Sequence, residues 1–302
     1  MKTLAAIAVC ASLGIGCSSE PATAPVERAA AKPVAATPTT PPAPALADIP
    51  RGDGVAVVAV GSIPAIGKGD LEDISQRSYL RVLVTPGQTH FDTVADRHRG
   101  RTVDAVDAFA AILNNALPKP VQVAFIATAE DALVADLLAG KGDIALNLRV
   151  TFERDDQVAF ATPVRSGIRE WIVTGPSAAP LVSLEDVGGR TVHVRRGSDH
   201  HASMIRLNEQ LKQINRLPAR ISVANATHTD EDLVALVNAG TIPATVVDDY
   251  VLEACCASLT RLNVNRDVAV SQDGIMAWAT RKDAPQLLAA INDFFARHRL
   301  TF

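Results

Sequence analysis

The residues whose types and positions could do chemistry sit at the ends of short apolar runs. Ser198 follows Gly197 where the strand-like run Thr191 to Arg195 gives way to a helical stretch, Ser198 to Gln213. Its hydroxyl can cap that helix, and the free amides of the helix end can hold a carboxylate; both readings stand together. Asp248 closes the β-branched run Ala244 to Asp248, either as a carboxylate facing a ligand or as an ordinary strand-end contact. Thr85, Thr89 and His90 follow the run Leu80 to Val84, and in an open α/β sheet the loops beyond the carboxyl ends of the strands border the ligand crevice. Arg149 and Arg154 carry planar guanidinium groups suited to bidentate contact with a carboxylate, against the alternative of pairing within their own turn.

Enzyme chemistry finds little support. The sequence contains no His-Glu-x-x-His pair, no Gly-x-Ser-x-Gly elbow, no phosphate-binding loop and no Gly-x-Gly-x-x-Gly. His200 and His201 are neighbours, which a helix points in different directions, so no metal site is expected, nor any cofactor. Glu170 or Glu253 as a general acid would need a long groove and a poised carboxyl, and nothing marks one. Trp171 reads as core or hinge packing ahead of stacking on a ligand. Cys255 and Cys256 read first as small buried hydrophobes, with an exposed thiol or a strained vicinal bond as alternatives.

Positioning these groups falls to an alternation of short β-branched runs and amphipathic stretches. Leu80 to Val84, Val121 to Ile126 and Asp143 to Asn147 read as strands around helices at Thr102 to Leu117 and Ala129 to Leu138. After a crossover strand, Arg169 to Thr174, the same alternation resumes with strands at Thr191 to Arg195, Ala219 to Val223 and Thr245 to Asp248. Helices lie between them at Ser198 to Gln213, Asp230 to Ala239 and Tyr250 to Leu259. Strands at Val268 to Val270 and Ile275 to Ala279 and a helix from Ala284 to Arg297 complete the list. The expected fold is α/β in two lobes, each a mostly parallel sheet flanked by helices, joined by crossover strands, with the cleft between them as the ligand site. Lobe 1 is placed at about 78–173 and 272–302, and lobe 2 at about 174–271.

Composition bounds the rest. With 29 basic against 33 acidic residues there is no positive field to collect nucleic acid. All twelve aromatic residues lie at or after Tyr79, so the opening quarter is a different kind of chain. Residues 1–16 read as a signal peptide: Lys2 is followed by an uncharged apolar run too short to span a membrane. Its end, Leu13 to Cys17, resembles the bacterial lipoprotein signal, which implies lipidation of Cys17 and anchoring to the membrane by acyl chains; cleavage nearby as an ordinary secreted protein is the alternative. Ser18 in the next position implies the inner leaflet of the outer membrane, facing the periplasm. Residues 17–50 hold eight of the 18 prolines and read as a semi-rigid linker; residues 51–69 are a poorly defined lead-in, and the compact body is placed at 70–302.

Within that body Asp70 to Ile74 followed by Tyr79 to Val84, then Leu137 to Ala145 with its Gly-x-x-Asp step, Thr151 to Arg154, and Phe160 to Pro163 resemble the type 2 periplasmic solute-binding proteins of the amino-acid-binding family. Val194 to Ser198, Ala244 to Asp248 and Leu287 to Phe295 continue the resemblance. Gly197 to His201 and the Asp248 strand end are most similar to the non-catalytic N-terminal domain of membrane-bound lytic transglycosylase F. The resemblance implies a ligand α-carboxylate clamped at Arg154. It also marks two departures: Arg149 stands where the family has a small hydroxyl residue, and Pro86 falls near the position of an acidic residue that receives an α-amine. The expected ligand therefore carries carboxylates without a demanding ammonium contact, as a peptide or peptidoglycan fragment does, ahead of a free amino acid. The implied activity is binding or sensing of a small polar, amino-acid-like or peptidoglycan-derived ligand such as a muropeptide, without catalysis. The alternative is a structural or regulatory lipoprotein whose degenerate cleft binds another envelope protein, such as a separate transglycosylase.

Overall fold

A computed structural model describes residues 66–298 apart from Gln88, His90, Ala95, Asp96, Ala226, Cys256 and Ala257. The segments read as signal peptide and linker, with Cys17 and most of the lead-in, lie outside the described residues, as do His90, Cys256 and the side chain of Cys255.

The first elements are α1 (Leu71–Arg77), β1 (Tyr79–Val84), a hairpin of β2 (Asp92–Val94) and β3 (Arg97–Arg99), α2 (Arg101–Ala116), β4 (Gln122–Ala127), α3 (Leu133–Leu138) and β5 (Ile144–Arg149). β1 pairs in parallel with both β4 and β5. Helices cover both faces of this sheet, so its central strand is buried nearly throughout and, apart from Arg81, reads as an apolar run instead of an alternation. α2 and the final helix α8 (Pro285–Arg297) close one face around Phe109, Trp278 and Phe294. α3 closes the other, placing Leu133 and Leu137 against Leu83, Ala145 and Ala279.

After a short α4 (Phe152–Asp155) and β6 (Val158–Phe160), the crossover strand β7 (Arg165–Thr174) leads into the second lobe. There β8 (Thr191–Val194), β9 (Arg220–Val223) and β10 (Ala244–Asp248) form a parallel set in the order β10-β8-β9. α5 (Asp199–Gln213) covers one face with Met204, Leu207 and Leu211. α6 (Asp230–Ala239) and α7 (Asp249–Cys255) cover the other with Val234, Val237 and Val251. β11 (Asn263–Arg281) runs back to the first lobe, antiparallel to β7 and then to β5 and β6, so one nine-stranded sheet passes through both lobes.

Two expectations need correction. The runs Val268 to Val270 and Ile275 to Ala279 belong to one 19-residue strand, because pairing continues through register shifts and a left-handed Asp273 (φ 58°) that interrupt the apolar pattern. The helix expected to reach Leu259 ends at Cys255. Trp171 is 5% exposed in the apolar cluster under the crossover strands, with the Arg266 guanidinium 4.7 Å above its ring, which is the packing role expected of it.

Two acids tie the first lobe together. Asp70 caps α1 through Leu71 N–H (2.9 Å) and also accepts the Gln286 and Leu287 N–H groups (both 2.8 Å), so one carboxylate satisfies the amino ends of two helices. Asp143, fully buried, accepts the backbone N–H of Arg81 (2.9 Å) and its Nε and Nη2 (3.2 and 2.9 Å), and pairs with Arg77. The remaining donors of Arg81 reach the carbonyls of Gly140 (2.8 Å) and Gly67 (2.6 Å), while Arg281 reaches those of Gly142 and Gly69 (both 2.8 Å). A guanidinium in the middle of a buried strand is tolerable because its donors reach backbone carbonyls and its charge has a partner.

Candidate functional site

The site lies where the carboxyl ends of strands from both lobes converge. Sharp local turns supply it. β5 carries a left-handed residue, Asn147 (φ 52°), whose amide donates to Thr102 Oγ1 (2.8 Å), and the β11 register shifts opposite it. Asn tolerates this conformation better than most residues. Thr151 then caps α4 by accepting the Arg154 N–H (3.3 Å). In the second lobe Gly197 (φ 67°) turns the chain from β8 into α5, and Ser198 caps that helix by accepting the His201 N–H (3.1 Å).

The candidate residues meet partners across the cleft. Arg149 directs Nη2 at both oxygens of Asp248 (2.8 and 2.9 Å), with Glu170 Oε1 at 3.7 Å and Asp199 Oδ2 3.9 Å from its Nε. Arg154 gives one donor to the Arg149 carbonyl (2.9 Å) and Nη2 to Asp199 (2.9 Å), so it pairs both within its turn and across the lobes. The free amide at the start of α5, that of Asp199, does hold a carboxylate: Glu130, from the first lobe, at 2.8 Å. Glu130 also accepts from Arg195 Nη2 (2.8 Å), and Arg195 binds Asp230 in turn (2.9 Å). The backbone N–H of Thr89 donates to Glu231 Oε1 (2.8 Å). Thr85 borders the cavity described below, and its hydroxyl is buried without a hydrogen-bond partner. The lobes are therefore shut, zipped by charged pairs supplied by the chain itself.

Between them remains a cavity of about 90 Å³, whose wall includes Glu130, Asp199, Asp230, Glu231 and Asp248 against Arg149, Arg195 and His200. A cavity of ~150 Å³ holds benzene, so this one does not hold an amino acid with a side chain until the lobes part. On the far side of Arg149 a broader groove of about 550 Å³ is lined by Thr151, Arg154, Glu170, Arg206 and Ser271 to Ile275.

The electrostatics record close packing. Burial would lower the Arg149 and Arg195 guanidinium groups, but Asp248 with Glu170, and Asp230 with Glu130, outweigh it and raise both. His200 lies between Asp230 (Nδ1, 3.6 Å) and Asp248 (Nε2, 3.3 Å); burial opposes its charge, and these two carboxylates raise it well above the usual imidazole range. They are correspondingly lowered, since the neighbouring cations offset the cost of burying them. Glu130 goes the other way: burial and the nearby Asp199 push its carboxyl up to about 8. Burial likewise raises Glu170.

These shifts set a pH profile. Ionising Glu130 in the folded chain costs stability progressively above its ordinary 4.5, fully above about 8. The His200 charge stabilises fully below 6.5 and is lost as pH rises through its raised value. Asp230 and Asp248 contribute above 3.8, and this is lost as pH falls through their lowered values. The melting temperature should therefore peak at about pH 4 to 4.5 and fall on both sides, with Glu130→Gln flattening the fall between 4.5 and about 8. A thermal scan against pH in which stability climbs from about pH 6 to 9 would contradict this assignment.

Glu130, Arg195, Asp199, Asp230 and Glu231 were not among the residues singled out from sequence. Glu130 and Arg195 each follow the carboxyl end of a parallel strand, the same signal that marks Thr85, and both could have been found by it.

Two α/β lobes joined by crossover strands, with polar groups converging on the cleft, define the type 2 periplasmic binding protein fold. The chain belongs to the bacterial extracellular solute-binding proteins, family 3, whose family model matches residues 80–301. Its fold is similar to that of the arginine-binding protein of T. maritima, in the P235GK mutant (21% identity, TM-score 0.60, covering 74% of this chain and 91% of that one). It is also similar to the ancestral amino-acid-binding protein AncCDT-1, a precursor of cyclohexadienyl dehydratase (23%, TM-score 0.62, 75% and 92%). A third similar structure is the amino acid ABC transporter substrate-binding protein AbpA of Streptococcus pneumoniae, bound to L-arginine (18%, TM-score 0.59, 75% and 91%). No curated protein sequence matches the chain. Among the described residues no helix is long and apolar enough to cross a membrane.

Proposed function

We propose that the chain is an exported, lipid-anchored binding protein of the cell envelope, without catalytic activity, that captures or senses a small polar solute bearing a positive charge by opening and closing its lobes. The observation that carries this reading is the cavity wall, where the acidic side chains of Glu130, Asp199, Asp230, Glu231 and Asp248 face Arg149, Arg195 and His200, with Arg154 pairing Asp199 from the groove side. Burial first, and then the neighbouring Asp199, raise the Glu130 carboxyl, and an ammonium or guanidinium group entering beside it offsets the Asp199 repulsion. Arg149 and Arg154 are engaged by Asp248 and Asp199, so a ligand defined by its carboxylates alone is the weaker candidate. Amino-acid-like solutes and peptidoglycan fragments with a free amine fit, and the L-arginine-bound relative supports the class. A raised carboxyl also suits a general acid, but both Glu130 oxygens accept hydrogen bonds within the latch, from Arg195 and from the Asp199 amide, so it is held there and not offered to a solute. Export and anchoring rest on the sequence up to Cys17.

The filled cleft also favours a second reading, an envelope lipoprotein whose closed body docks on another protein such as a separate transglycosylase. A thermal-shift screen of amino acids, peptides and muropeptides separates the two. Solute capture predicts stabilisation by members with a free cationic group and none by their N-acetylated forms. No stabilisation by any member, together with envelope-protein binding unaffected by substitution of Arg149 and Arg154, favours docking.

A further inference from the structure

We infer that Arg149 is an internal ligand: its side chain occupies a cation subsite walled by Asp248, Glu170 and Asp199, and a chain relieved of it takes an external guanidinium there. The inference deepens the solute-capture reading, on which it rests for its biological use. Three observations carry it. The guanidinium comes from β5 of the first lobe, yet its carboxylate neighbours belong to β10 and α5 of the second lobe and to the crossover strand β7. It lies in a cradle that depends on a missing side chain, because a Cβ on Gly274 would stand 2.3 Å from Arg149 Nη1, and Gly274 needs no left-handed backbone to explain it. The subsite has acceptor capacity to spare: Glu170 is 3% exposed and its Oε2 has no hydrogen-bond partner.

Position adds a consequence. Arg149 and Asp199 both line the 90 Å³ cavity and the 550 Å³ groove, so the Arg149 side chain is part of the partition between them. Withdrawing it thins that partition and frees the Asp248 oxygens that it occupies. From the groove side a cationic solute therefore meets Asp248 by exchange for Arg149, one guanidinium or ammonium for another. Arg149 is in this sense a specificity-determining residue: it sets a threshold that weakly held cations do not pass.

The test is calorimetric titration with methylguanidinium, at low ionic strength, of the wild type, Arg149→Ala and the double variant Arg149→Ala with Asp248→Asn. Arg149→Ala is expected to bind methylguanidinium at least about tenfold more tightly than the wild type and to gain melting temperature from it, and the double variant to lose that gain. Gly274→Ala, which expels the guanidinium without removing it, is expected to gain affinity in the same direction and carries the test should Arg149→Ala fold poorly. No gain in either single variant overturns the inference. A gain in these variants alongside a wild type that binds nothing in the solute screen sustains the internal ligand while rejecting the solute-capture reading.

Discussion

Replacing Asp143 by alanine is expected to destabilise the body by about 3–5 kcal/mol, the cost of leaving buried cations without their counter-ion. Arg81 is fully buried, Arg77 and Arg281 flank it, and all three share this one carboxylate. Arg81 and Arg281 have no route to solvent short of unfolding the lobe, because their other donors are fixed on the carbonyls of Gly67, Gly69, Gly140 and Gly142, whereas Arg77 is 17% exposed. For a body of this size the loss corresponds to a melting temperature lower by roughly 10 °C. Asp143→Asn, which keeps shape and acceptor while removing charge, should fall between the two. Denaturant unfolding that shows a cost below about 1 kcal/mol would mean that the cluster is hydrated and not buried.

Asp248→Ala is the second large effect, and it should take a different form. The residue neutralises Arg149 and His200, both largely buried, and its removal in a shut cleft carries the same 3–5 kcal/mol range. Here, however, the stranded cations have an exit, since parting of the lobes returns Arg149 to water through the groove it already borders. The expected outcome is an opened molecule whose lobes stay folded: a larger radius of gyration, a melting temperature reduced less than by Asp143→Ala, and a smaller alkaline fall from His200, which Asp230 still raises. Full unfolding, or an unaltered radius, would show that the ion pairs do not hold the lobes together.

Much of the fold is legible in the sequence because burial on both faces writes parallel strands as apolar runs, as in Tyr79 to Val84, interrupted by Arg81, and Ala244 to Asp248. The long β11 is less legible: its bulges around Asp273 break the pattern without breaking the sheet. In the cleft, Arg149, Arg154, Ser198 and Asp248 stand out by type and place, but nothing local shows that Arg149 and Asp248, 99 positions apart, satisfy each other. Pairing across lobes depends on the closure of the whole molecule, and single segments do not encode it. Glu130 is hidden for the same reason: as an acid in a polar turn it resembles any solvated carboxylate until α5 of the other lobe presents its amide.

The central claim, that the chain's own charges shut the cleft, is met most directly by small-angle X-ray scattering of the wild-type body near pH 6 with no solute added. The account predicts the scattering curve of the closed structure, with expansion on Arg149→Ala. A wild type that scatters as an open molecule and compacts only when solute is added would contradict it.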